Sequence, residues 1–160
     1  MNAPLLTEFA DGIAVITINR PEVRNAVDAE TARRIAAAVD ELEARKDILV
    51  GILTGAGGTF CAGMDLKAFA RGETPMVPGR GFGGLAERPP TKPLIAAVEG
   101  HALAGGWELA LSADLVVAAR DALFGLPDRS QARTRRGRRR LATSAQSPAV
   151  PGRDGDSSHR

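Results

Sequence analysis

A chain of 160 residues is long enough to close one domain around a core, and its 44% apolar content excludes a disordered or collagen-like protein. One cysteine, Cys61, excludes a disulfide framework and suits a reducing cytoplasm, and no apolar run reaches the length of a membrane span. The net charge of +2 averages two unlike pieces, since residues 129–160 hold nine Arg and two Asp, net +7, which leaves residues 1–128 at net −5.

In chain order, Leu5 to Ala10 and Ile13 to Asn19 read as two short strands around an Asp11-Gly12 turn. Apolar residues on both faces of the second mark it as buried, and Arg20-Pro21 ends it. Asp28 suits the N-cap of a helix to about Ala44, with Ile35, Ala38, Val39 and Leu42 at helical spacing. Ile48 to Thr54 is a β-branched run and a further buried strand. After the turn Gly55 to Gly58, a loop from Thr59 to Leu66 enters a short helix near Lys67 to Arg71. Gly72 to Pro90 is rich in Gly and Pro without any period, which predicts a mobile surface loop. Strands alternating with helices, and apolar along their length, indicate an α/β architecture.

The stretch from Ile95 to Ala118 organises the rest. Leu94 to Val98 forms a strand ending at Gly100, Gly105-Gly106 opens an amphipathic helix, and Leu115 to Ala118 is the next strand. Ala122 to Phe124 adds a short strand before Gly125-Leu126-Pro127-Asp128. A glycine pair at a helix start leaves backbone N–H groups without intrahelical partners, on the positive end of the helix dipole. Glu108 lies about one turn further on, hence on the same side. An anion cradle beside a carboxylate is half of an active site.

Two other patterns fail. Gly55-Ala56-Gly57-Gly58-Thr59-Phe60 follows a strand but has Phe60 where a dinucleotide fingerprint needs its third glycine, and no helix opens there. Two separated histidines with one cysteine give no metal-ligand spacing. Four segments in order do form a set: Asn19-Arg20-Pro21-Glu22-Val23-Arg24-Asn25-Ala26; Phe60-Cys61-Ala62-Gly63-Met64-Asp65-Leu66; Gly105-Gly106-Trp107-Glu108-Leu109-Ala110 with Asp114; and Phe124-Gly125-Leu126-Pro127. On these the chain resembles the crotonase, or enoyl-CoA hydratase/isomerase, superfamily from about Leu5 to Pro127, roughly the N-terminal half of a usual member.

The resemblance implies a crotonase-like spiral of ββα repeats, here lacking the C-terminal helices, and an acyl-CoA thioester as substrate. No metal or redox cofactor is implied, because CoA arrives as part of the substrate, and full-length relatives are expected as trimers or hexamers. The implied reaction is addition of water to a 2-enoyl-CoA in fatty-acid or related acyl-CoA breakdown; double-bond isomerisation and thioester hydrolysis are the alternatives within the fold. By motif position the backbone N–H groups of Met64 and Gly105 would form an oxyanion hole, with Gly63 allowing close approach of the thioester. Glu108 matches one catalytic acid. Asp128 stands where the second belongs, one methylene shorter than the usual Glu, which changes its reach. Arg24 and Lys67 stand where cations meet the CoA phosphates, the alternative being ordinary surface charges. Ala62 would meet the adenine-bearing arm.

Several residues carry structural readings instead. Cys61 is a small apolar filler, His101 belongs to the strand-end turn, Trp107 is packed, and Asp114 is structural. Asp65 either fixes the loop that bears Met64 or caps the next helix.

Residues 129–160 contain no Ile, Phe, Met or Trp and offer nothing to bury, so they read as a basic, disordered tail distinct from a crotonase-like core over 1–128. A frameshift at or near codon 128 is the expected cause of the change, since glycine codons of GC-rich DNA become arginine codons on slipping one step. The rival is a basic arm for nucleic acid, but no aromatic residue is interleaved for base stacking. On either reading the chain exposes apolar faces, and marginal stability, aggregation or inactivity is expected.

Overall fold

The computed structural model describes residues 3–125, so Asp128 and the 129–160 tail lie outside the described residues. Strands β1 (Leu5–Ala10) and β2 (Ile13–Ile18) form an antiparallel hairpin in which Leu5 faces Ile18 and Ala10 faces Ile13. Asp11 and Gly12 both take positive φ (52° and 80°), the combination that matches a two-residue turn to the twist of the strands. After a 3₁₀ turn at Pro21–Val23, helix α1 (Ala29–Ala44) begins as the sequence predicts: the Asp28 carboxylate accepts from the Thr31 N–H at 2.8 Å. Its buried stripe, including Ile35, Ala38, Val39 and Leu42, is the expected one.

Then follow β3 (Val50–Gly55), α2 (Leu66–Ala70), β4 (Met76–Val77), β5 (Gly81–Phe82), β6 (Leu94–Val98), β7 (His101–Leu103), α3 (Gly105–Leu111), β8 (Leu115–Ala118) and β9 (Leu123–Gly125). The main sheet has the order β1-β2-β3-β6-β8, parallel except for the first pair. Successive units change sheet in step: β6 and β8 pair in the main sheet, while β7 and β9, the strands that follow them, pair in parallel as a second sheet. Gly100 (φ 57°) makes the first of these corners, and a Cβ there would stand 2.4 Å from the Gly58 carbonyl oxygen. This β-β-α winding brings the start of α3 against the loop that follows β3.

Three expectations are corrected. The second strand is buried on one face only: Ala14, Ile16 and Ile18 are buried, whereas Ile13 is 36% exposed because it borders the turn. His101 lies in a strand, β7, rather than in a turn. The stretch 72–90 is not an unstructured surface loop. It carries the β4–β5 hairpin and buries Phe82 and Leu85, each contributing about 1.5–3 kcal/mol of apolar transfer energy. Its glycines serve close packing: a Cβ on Gly84 would lie 2.8 Å from the Ala32 carbonyl oxygen of α1.

Strand β8 is bare. All four of its residues are exposed, although it pairs with β6, and Leu115 and Val117 are each 62% exposed beside Leu111 of α3 at 59%. An apolar strand uncovered on both faces is a template for association. The purified chain is expected to self-associate at micromolar concentration, and Leu115→Lys with Val117→Lys to shift it towards monomer at a cost of at most about 0.5 kcal/mol. Light scattering after gel filtration checks this; an already monodisperse monomer contradicts it.

Candidate active site

The loop Phe60–Asp65 hangs between two neighbours. On one side Cys61 N–H donates to His101 O (2.9 Å) and Leu103 N–H to Cys61 O (3.0 Å). On the other, Ala62 N–H donates to Arg24 O (3.0 Å), Val27 N–H to Gly63 O (2.8 Å) and Asp65 N–H to Val27 O (2.9 Å). In this ladder the residue between two bonded positions turns its own amide away, and that residue is Met64. Its N–H has no acceptor among the described residues, and neither has that of Gly105, the first residue of α3.

These two amides belong to touching segments. A Cβ on Gly63 would lie 3.3 Å from Gly105 N and 2.9 Å from Leu103 O, so the glycine admits the helix start to the loop. A Cβ on Gly106 would lie 2.2 Å from Cys61 O. A Cβ on Gly105 would meet the Phe82 ring at 2.3 Å, so the β4–β5 hairpin closes on the same helix start. Phe82 and the exposed Glu108 both line a cavity of about 580 Å³ with Met76, Ala86 and Leu111. Another cavity of about 580 Å³, walled in part by Arg20, Asp28, Glu30 and Arg34, holds none of the predicted site residues.

The start of α3 at Gly105 thus meets the loop that bears Met64, while Glu108, in the first turn of the same helix, lines a cavity whose wall includes neither Gly105 nor Met64. Ala62 lies in the same loop and Arg24 and Lys67 flank it: Arg24, exposed and left-handed (φ 54°), is bonded to Ala62 through its carbonyl, and exposed Lys67 stands in the first turn of α2. Asp65 caps that turn, its Oδ1 accepting from Lys67 N–H (3.0 Å) and Ala68 N–H (3.1 Å). Cys61 is fully buried, and burial pushes its thiol up to about 11, which makes it inert filler. Asp114 is structural, accepting from Leu94 N–H at 2.8 Å and tying β8 to β6. Trp107 packs on Phe124 with ring centroids 4.9 Å apart.

Two residues quoted in the first motif hold the loop in ways the sequence reading passed over. Asn25, buried with φ 56°, donates to Ala56 O and Thr59 O and accepts from Arg20 N–H. Arg20 joins both helix caps: its guanidinium reaches Asp28 (3.1 Å), Asp65 (2.9 Å) and Ala26 O (2.6 Å). A motif arginine followed by two cap-forming aspartates was the only available signal.

Burial acts to raise the Asp65 carboxyl, but hydrogen bonds from Ala68 N–H, Arg20 and Lys67 N–H outweigh it and hold the group below the ordinary carboxylate range. A depressed folded value stabilises above the unfolded value near ~4, and that contribution is lost as pH falls through the folded one. Asp65→Asn is expected to cost about 1–3 kcal/mol at neutral pH. The difference from wild type should shrink as denaturant melts are repeated below about pH 4; a pH-independent difference rules this out.

The winding of paired strands into two sheets around a loop–helix contact, with two amides that lack acceptors among the described residues, is that of the crotonase fold. The chain belongs to the enoyl-CoA hydratase/isomerase family, whose model matches residues 8–131. It is 42% identical over 120 residues to the mevalonyl-coenzyme A hydratase of Aspergillus fumigatus, covering 72% of this chain and 44% of that one. It is 45% identical over 134 residues to an enoyl-CoA hydratase of Mycobacterium tuberculosis, covering 77% and 49%. Among solved structures, an enoyl-CoA hydratase from Mycobacterium marinum superposes with a TM-score of 0.77 at 62% identity, covering 80% of this chain and 50% of that one. The chain thus spans about half the length of the relatives it matches.

Proposed function

We propose that this chain carries the oxyanion-hole half of an acyl-CoA hydratase that adds water to a 2-enoyl-CoA thioester. The observation that carries the reading is the pair of backbone amides, Met64 and Gly105, without protein acceptors among the described residues and on segments in contact. Addition of water at C3 of the enoyl thioester moves negative charge onto the thioester oxygen. Two preorganised N–H donors stabilise that charge, each worth several kcal/mol of barrier by analogy with other oxyanion holes. Glu108, in the first turn of the helix that Gly105 opens, would exchange the proton with water or the α-carbon, and Asp128 would supply the second acid. Arg24 and Lys67 would meet the CoA phosphates and Ala62 the adenine arm, so no separate cofactor is needed. Relatives named for enoyl-CoA, mevalonyl-CoA and carnitinyl-CoA hydration or dehydration support the thioester substrate class. A cytoplasmic location fits a CoA-dependent reaction.

The test uses acetoacetyl-CoA, whose enolate absorbs in the near ultraviolet. Titrating it into the chain should raise the enolate band and CoA should compete, and crotonyl-CoA should lose its enoyl absorbance with time wherever this half-length chain keeps any turnover. Absence of both signals would falsify the reading.

A further inference from the structure

Ala104, the residue before Gly105, has φ 48° and ψ −119°. Positive φ is also taken by Asp11, Arg24 and Asn25, but Arg24 with ψ 39° rests in the ordinary left-handed well, whereas the Ala104 combination suits glycine. Three bonds hold it there. Its N–H donates to Gly125 O (2.8 Å), and its carbonyl accepts from Trp107 N–H (2.9 Å) and Glu108 N–H (3.1 Å). Its ψ sets the plane of the peptide that contains the Gly105 N–H. Its methyl lies over Gly63, 3.2 Å from where a Cβ there would stand, and Gly63 adjoins Met64.

We propose that Ala104 is a positioning residue: its strained peptide aims the Gly105 N–H, and its methyl against Gly63 fixes the spacing of that donor from Met64. The proposal rests on the oxyanion reading above. Glycine at 104 would relax the strain and loosen the aim, so stability and enolate binding should move in opposite directions. A side chain serving the fold alone would move them together.

The experiment compares wild type, Ala104→Gly and Ala104→Ser by thermal melting, amide relaxation at Gly105 and the acetoacetyl-CoA enolate band. Ala104→Gly is expected to raise the melting midpoint by about 2–5 °C, strain relief exceeding the added freedom of the unfolded chain. It should lower the Gly105 order parameter from about 0.85 towards 0.7 and weaken enolate binding about tenfold, while Ala104→Ser, which keeps a Cβ, should bind within about twofold of wild type. A lower midpoint, or a higher one with the order parameter or enolate affinity unchanged, overturns the proposal. If wild type shows no enolate band, the oxyanion reading fails. The midpoint and order parameter then decide alone: a rise with loosening supports the aiming role, and any other pair overturns it.

Discussion

Gly106→Ala is expected to lower stability by about 2–3 kcal/mol, roughly a 10 °C fall in melting midpoint, and to erase the enolate band. The added Cβ would stand 2.2 Å from Cys61 O and 2.9 Å from both the carbonyl carbon and the Cβ of Cys61. Two of those atoms are backbone, so no rotamer change relieves the conflict. Either α3 backs away from the Phe60–Asp65 loop or the loop moves, and both separate Met64 from Gly105. Gly58→Ala is the control. Nothing lies within 4 Å of its added Cβ, and only its φ of 72° is unfavourable, so a loss of about 1–2 kcal/mol with the enolate band intact is expected. Equal effects of the two substitutions on the enolate band would refute close approach at Gly106 as the cause.

On the proposed reading, Glu108→Gln is expected to lower any kcat that the chain shows for crotonyl-CoA hydration by about 10²–10⁴ while leaving the enolate band. Gln keeps the volume of Glu but cannot exchange a proton, and the oxyanion donors are backbone groups that the substitution does not touch. Glu108 is the fourth residue of α3, exposed, and lines the cavity with Phe82 and Leu111. Folding therefore asks little of its side chain, and stability should change by less than about 0.5 kcal/mol. Loss of enolate binding together with hydration would instead make Glu108 a substrate-binding group. An unchanged kcat would remove it from the chemistry.

The local framework of the candidate site was legible in the sequence. Gly105-Gly106 with Glu108 identified the helix start, because a helix must begin where glycines and an apolar stripe succeed a strand. Asp28 was legible as a cap for the same local reason, and Asp65 as a cap or loop anchor. The β4–β5 hairpin was not. Phe82 and Leu85 are buried by α1, α3 and the main sheet, and the Gly-rich spacing around them looks like a loop until those partners are present. Arg20 read as a strand terminator, since Asp65, the carboxylate it clamps, lies 45 residues on.

The family, the main strands and helices, and a set of candidate site residues follow from the chain's local patterns, because periodicity, turn residues and caps act over a few neighbouring positions. Packing alone reveals that the loop bearing Met64 touches the start of α3, that Ala104 just before Gly105 takes a glycine-like conformation, and that the residues of β8 are exposed. Those outcomes depend on hydrogen bonds and packing between segments far apart in the chain. The free energy of such contacts is set by distance and burial, which no local pattern encodes.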